Sequence, residues 1–113
     1  MQYILLVRLS PEGIDATLEN PRAPLDAERS VSMPDVSSLG IYAVLGPYDF
    51  VAIIDAPDND AAARWSIAFS ARVRGEITTM PAVPISHLEG PGDPDRSIEA
   101  SEPLPGQTSQ AGL

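Results

Sequence analysis

Tyr48 and Asp49 are the adjacent pair in this sequence that is best suited to chemistry. A carboxylate beside a phenol can bind or activate a small polar group when both face a cavity. An aspartate in a turn can instead accept backbone N–H groups of its own turn, while the tyrosine packs over a neighbouring strand. We favour the structural interpretation. Ligand binding by Tyr48 and Asp49, with Tyr42 and Trp65 as further cavity-lining candidates, is kept as a hypothesis.

Other catalytic and metal-binding groups are scarce. The chain has no cysteine and a single histidine, His87, so a thiolate site and a multi-histidine metal site are both excluded. The acidic run at residues 55–60 lacks the glycine and the distal glutamate of a calcium loop, and helix capping explains it better. A serine triad is conceivable only through His87. The sequence therefore predicts no metal and no cofactor.

The charge balance limits the partners. Sixteen acidic residues stand against seven arginines and no lysine, for a formal net charge of −9. Such a chain is repelled by phosphate backbones and anionic membranes, which argues against nucleic-acid and membrane binding. The absence of cysteine fits a reducing compartment, and the apolar run at residues 3–7 is too short to span a membrane. A cytoplasmic location is expected.

Four segments are typical of β-strands, namely residues 3–9, 39–45, 50–55 and 76–85. The four residues from Gly46 to Asp49 have the composition of a turn, which predicts an antiparallel hairpin between the second and third strands. Pro81 and Pro84 lack amide hydrogens, so the last strand is expected to lie at a sheet edge or to bend away from the sheet.

Helices are predicted between these strands. Ser10 followed by Pro11 favours a helix start, and the Asn20–Pro21 step should end that helix. Further prolines should keep residues 21–36 broken, with a turn or two of helix over residues 25–29. The last helix carries one apolar stripe and should stop at Gly75. The stripe consists of Ala61, Trp65, Ala68, Phe69 and Val73.

This order of elements predicts an α+β fold over residues 1–85. It is the ferredoxin-like split βαβ sandwich, a four-stranded antiparallel sheet with helices on one face. Residues 86–113 hold four prolines, four glycines and five acids, with no aromatic residue. Such a segment buries too little apolar surface to offset its ordering entropy, which predicts a disordered, solvated C-terminal tail.

The strands are apolar on both faces, although helices are expected to cover one. Residues 3–7, 41–45 and 50–54 are apolar at both parities, where a half-solvated sheet should alternate. The second face would form an exposed apolar patch that soluble monomers rarely tolerate. The simplest way to cover this face is a second copy of the same sheet, related by a two-fold axis. A homo-oligomer, dimer or higher, is therefore predicted.

The hairpin and the segment after it resemble the GYD domain family, which takes its name from the residues that are here Gly46, Tyr48 and Asp49. The resemblance spans roughly residues 1–85 and is strongest over residues 40–63. It implies a ferredoxin-like fold with dimeric α/β-barrel association. That wider group includes cofactor-free monooxygenases, haem-handling proteins, isomerases and effector-sensing domains, and fold analogy does not choose among them.

The favoured function is non-catalytic: a homo-oligomeric binding or accessory domain, such as a small subunit of a larger enzyme assembly. The alternative is a cofactor-free or haem-linked barrel enzyme for a small hydrophobic substrate, with a cavity lined by Tyr48, Asp49, Tyr42 or Trp65. A third interpretation, a small-molecule sensing module, would need a regulatory partner on another chain.

Overall fold

The computed structural model describes residues 1–89, in which Met1–Ala82 form one compact unit and the residues from Val83 onward belong to a second. The first unit contains seven elements: β1 (Gln2–Leu9), α1 (Pro11–Glu19), α2 (Ala23–Ser30), β2 (Ser37–Ala43), β3 (Phe50–Asp55), α3 (Asn59–Val73) and β4 (Gly75–Ala82). The second unit has a short 3₁₀ helix, Ile85–Glu89. Most of the predicted tail, residues 86–113, lies outside the described residues, and its disorder stays a prediction.

The four strands form one antiparallel sheet in the order β2-β3-β1-β4. The central strand β1 pairs with β3 along one edge and with β4 along the other. This is the predicted ferredoxin-like topology, with β4 at a sheet edge as its proline indicated. No helix of the described part of the chain is long and apolar enough to cross a membrane.

The helices pack on one face of this sheet. Side chains of β1 alternate, with Tyr3, Leu5 and Val7 buried and the residues between them more exposed. The rings of Trp65 and Phe69 on α3 lie 5.1 Å apart and are 2% and 0% exposed. The buried apolar cluster comprises Tyr3, Leu5, Val7, Leu9, Ala52, Ile54, Ala56, Ala61, Ala62, Trp65, Phe69 and Val73.

Four local predictions were wrong in detail. Helix α2 runs for eight residues, because Pro24 lies in its first turn, where proline needs no amide partner. Strand β2 begins and ends two residues earlier than expected, and β4 ends at Ala82 rather than at residue 85. The left-handed residue that ends α3 is Arg74, with φ 62°, instead of Gly75.

Gly75 is the first residue of β4 for a steric reason. A Cβ atom there would lie 2.7 Å from the carbonyl oxygen of Arg8 on β1. The strand therefore starts directly after the helix and against β1. A side chain of α3 also binds the start of β4, since Ser70 Oγ donates a hydrogen bond to the Gly75 carbonyl.

The start of α1 is tied to the end of α3. The backbone N–H and the hydroxyl of Ser10 both donate to the carbonyl of Arg74, at 2.9 and 2.7 Å. Ser10 also caps α1, because its Oγ accepts from Gly13 N at 3.1 Å. A Cβ atom at Gly13 would lie 2.5 Å from the Arg74 oxygen, so the two helix ends meet at the backbone of Gly13.

We predict that Gly13→Ala destabilises the protein by roughly 1–3 kcal/mol through steric overlap. Helix propensity alone predicts the opposite sign, a gain of up to about 1 kcal/mol. Asp15→Ala, at an exposed position of the same helix, is the control and should stay within about 0.5 kcal/mol of the parent. Urea unfolding monitored by circular dichroism measures both, and a stabilised Gly13→Ala variant would contradict the packing.

Candidate functional site

The β2–β3 connection is joined to the end of β1 by the backbone. Gly46 adopts φ 122°, a left-handed conformation that side chains disfavour. Asp49 N donates to the carbonyl of Val7 at 2.8 Å, and Val44 N donates to the carbonyl of Asp49 at 3.1 Å. The first bond extends the pairing of β1 with β3 beyond Val7 and Phe50, and the second extends the pairing of β2 with β3 beyond Ala43 and Phe50.

The Asp49 carboxylate continues the same pairing. Its Oδ2 accepts a hydrogen bond from Leu9 N at 2.8 Å. The side-chain oxygen thus replaces the backbone carbonyl that a paired strand would supply as acceptor. The expectation that Asp49 accepts an amide of its own turn was therefore wrong about the donor. That donor lies 40 residues away along the chain, on β1. A role of Asp49 toward a ligand stays a prediction.

Tyr48 packs against Arg8 at the same corner. The guanidinium carbon of Arg8 lies 5.3 Å from the centre of the Tyr48 ring, within the range of a cation–π contact. Arg8 Nε also donates to the carbonyl of Pro47 at 3.0 Å. The Gly-Tyr-Asp turn thus holds the β2–β3 hairpin to the end of β1 through a ring contact and a carboxylate, and Gly46 supplies the left-handed backbone of the turn.

The structure separates the other two candidate residues from this corner and from each other. Trp65 lies between α3 and the sheet and is 2% exposed. Tyr42 lies on the opposite face of the sheet and is 56% exposed, with its ring over Gly40. Tyr48 and Asp49 are therefore neighbours, whereas Tyr42 and Trp65 are on opposite sides of the sheet. Ligand contact by these four residues stays a prediction.

The face of the sheet opposite the helices is apolar at its centre. We call it the open face and define it by six side chains: Ile4, Leu6, Tyr42, Val51, Ile53 and Met80. The strand register places them in two neighbouring rows across all four strands. One row runs Gly40, Ile53, Ile4, Met80, and the next runs Tyr42, Val51, Leu6, Thr78.

Charged groups lie at the two ends of the open face. Arg8 is opposite Glu76 at one end, and Asp55 pairs with the terminal amine of Met1 at 2.9 Å at the other. An apolar centre with a charged rim is the usual anatomy of a protein–protein interface. Sequence reasoning found this surface because the strands are apolar at both parities.

Sequence reasoning missed a cleft between α3 and β4. Its lining residues come from β1, α3 and β4, so no local spacing brings them together. A second groove lies beside β2 and is lined by Pro21, Pro24, Leu25, Ile41, Ala43 and Phe50. Within residues 1–89, no three histidine or acidic side chains form a group that could hold a metal ion.

We predict that Asp49→Ala destabilises the fold by roughly 1–3 kcal/mol, because Leu9 N loses its acceptor in a half-buried position. Asp49→Asn should lose less, since the amide oxygen can still accept. Asp35→Ala, an exposed aspartate between α2 and β2, is the control and should be nearly neutral. Guanidinium unfolding measures all three, and an unchanged stability of Asp49→Ala would free this carboxylate for a role toward a ligand.

Comparisons with known proteins agree with this architecture. Residues 3–90 match the GYD domain. A protein of Thermus thermophilus, named glutamine synthetase and cystathionine beta-lyase binding protein, is 30% identical over 87 residues, which are 76% of this chain and 92% of that protein.

Among solved structures, the crystal structure of MtbAldR superposes with a TM-score of 0.54 and 17% sequence identity. The match covers 80% of this chain and 56% of the MtbAldR chain, and it shows a shared fold alone. The family match extends over nearly all of the described residues and includes the Gly46, Tyr48 and Asp49 corner. This chain belongs to the GYD domain family.

Proposed function

We propose that this chain is a non-catalytic binding protein that self-associates through its open face and attaches to a larger metabolic enzyme. The observation that carries the proposal is the apolar centre of the open face. Ile4, Leu6, Val51 and Ile53 are only partly covered by their neighbours, and Tyr42 and Met80 are 56% and 38% exposed.

The occupant proposed for the open face is a second copy of the chain. Two sheets pack well at a spacing of about 10 Å when each presents an apolar face. A two-fold axis brings the same patch against itself, so one apolar surface covers the other without a second kind of partner. The apolar rows cross the two central strands as well as both edge strands, which favours contact of the whole face.

The enzyme partner is proposed from the relative. Its name states that the Thermus protein binds glutamine synthetase and cystathionine beta-lyase, and the alignment covers 92% of that protein. A match over nearly the whole relative supports the same kind of role for the domain described here. We therefore propose an enzyme of one of these two kinds as the larger partner.

The placement of the candidate residues supports binding over catalysis. The alternative barrel enzyme would draw its cavity lining from Tyr42, Tyr48, Asp49 or Trp65, and a shared cavity would bring several of them together. Tyr42 and Trp65 instead lie on opposite faces of the sheet, and the Asp49 carboxylate accepts a backbone N–H of β1. These positions favour a structural role for the hairpin motif.

We predict that Val51→Glu converts the self-associated protein into a folded monomer, because each copy would bring an unpaired carboxylate into an apolar interface. The association constant should fall by about 100-fold or more. Tyr42→Ser is a milder variant at an exposed position, and Ile67→Glu on the outer surface of α3, where Ile67 is 71% exposed, is the matched control.

Sedimentation velocity over a concentration series measures the association, and circular dichroism checks the fold. The open-face variants should sediment as monomers and Ile67→Glu as the parent does. A parent protein that stays monomeric, or a Val51→Glu variant that associates as before, would overturn this part of the proposal.

For the enzyme partner, we predict that the purified chain forms a stable complex with glutamine synthetase or cystathionine beta-lyase from the same cells. The measurement is native mass spectrometry of each mixture, with an unrelated acidic protein of similar mass as control. Binding to neither enzyme would reject the proposed partners and leave the self-association result unaffected.

A further inference from the structure

A cleft lies on the helix side of the sheet, between the first half of α3 and the end of β4. Its volume is about 260 Å³. The residues that line it are Tyr3, Asn59, Ala62, Ala63, Thr79 and Pro81. Tyr3, Thr79 and Pro81 belong to the helix-facing side of the strands, since Tyr3 pairs with Pro81 and Leu5 with Thr79. The cleft is therefore separate from the open face.

The cleft exists because α3 has small side chains where it passes this end of the sheet. Ala62 and Ala63 present methyl groups, whereas Trp65 and Phe69, further along the helix, fill the space above the sheet with rings. On the opposite wall, Pro81 is exposed at the edge strand. The walls of the cleft are thus largely apolar, with polar groups at its base.

The hydrogen bonds at the base define what the cleft can offer a ligand. Tyr3 Oη donates to Asn59 Oδ1 at 2.7 Å. Ser66 Oγ donates to the Ala62 carbonyl at 2.8 Å, and its oxygen lies 2.7 Å from Thr79 Oγ1. A hydroxyl has one hydrogen, so when Ser66 donates to the Ala62 carbonyl, Thr79 is the donor to Ser66. In that arrangement the hydroxyls of Tyr3 and Thr79 both use their hydrogens within the protein, and their lone pairs are free to accept from a ligand.

The electrostatic environment points the same way. Asp58 caps α3, with Oδ1 accepting from Ala61 N at 2.8 Å. Burial, with a smaller contribution from the Asp58 carboxylate, raises the pKa of Tyr3 above its ordinary value. The Asp58 charge thus acts on the tyrosine at the base of the cleft and would repel an anion placed there.

We propose that the cleft between α3 and β4 binds a small amine, which directs its ammonium N–H groups toward the Tyr3 and Thr79 oxygens and its short apolar arm along Ala62, Ala63 and Pro81. The volume lies just below the usual range for ligand pockets, about 300–1,000 Å³, which suits a metabolite-sized molecule. The site is independent of the open face, so it holds whether or not the chain self-associates.

Two probes with the same apolar arm and opposite charge test the proposal. n-Butylamine and butyrate are titrated into the ¹⁵N-labelled full chain at constant pH and ionic strength, and amide shifts are followed by NMR. Butylamine should shift the amides of Ala62, Ala63 and Thr79 in a saturable manner, whereas butyrate should leave them unchanged. Equal binding of both probes, or no saturable shift at these amides, would overturn the proposal.

Matched variants locate the site. Ala63→Leu fills the cleft from an exposed helix position, and it should weaken butylamine binding by about tenfold or more. Ala71→Leu, exposed on the same helix and outside the lining, is its control. Asp58→Asn retains a capping side chain but removes the charge, and it should weaken binding by about threefold. Unchanged binding by Ala63→Leu would place the amine elsewhere and refute the assignment.

Discussion

Strand β1 is apolar on both faces, and the rest of the molecule is arranged by what covers each of them. On one face, Tyr3, Leu5 and Val7 lie beneath the helices and form the centre of the core. On the other face, Ile4 and Leu6 are partly exposed beside Val51 and Ile53 of β3. Burial of the first set stabilises the single chain, and we propose that a second copy of the chain buries the second set.

The ends of the sheet show how the fold is closed around this strand. At one end, the pairing of β1 with β3 stops, and Asp49 of the Gly-Tyr-Asp corner supplies the missing hydrogen-bond partners. Its carboxylate accepts from Leu9 N, and its backbone N–H donates to the Val7 carbonyl. Beside it, Ser10 joins the start of α1 to the end of α3. In this chain the Gly-Tyr-Asp motif thus links the hairpin to the central strand.

Local signals predicted much of this fold, since turn residues and caps mark element ends. Strand β3 has the predicted bounds, and α1 begins at the Ser10–Pro11 pair and ends before Pro21. The prediction that prolines keep residues 21–36 broken was wrong for α2. Pro24 lies in the first turn of this helix, where proline is tolerated. Arg74, and not the predicted Gly75, adopts the left-handed conformation at the end of α3. Gly75 is needed instead where β4 closely approaches β1, and no local sequence pattern indicates that approach.

Some features of the candidate site could likewise be predicted from the sequence, and others could not. The open face was predictable because the strand segments are apolar at both parities instead of alternating with polar residues. The partner of Asp49 was not predictable, since Leu9 is 40 residues away and nothing near Asp49 indicates it. The cleft between α3 and β4 combines Tyr3, Asn59 and Thr79 from three distant segments, so only the folded chain shows it.

The central claim is that the open face is covered in the native protein by a second copy of the chain. Native mass spectrometry of the untagged protein, isolated gently from its own cells, tests it most directly. The account predicts an even-numbered homo-oligomer of the 12.0 kDa chain, alone or attached to a larger enzyme. A protein that is monomeric at every concentration, with no partner retained, would contradict it.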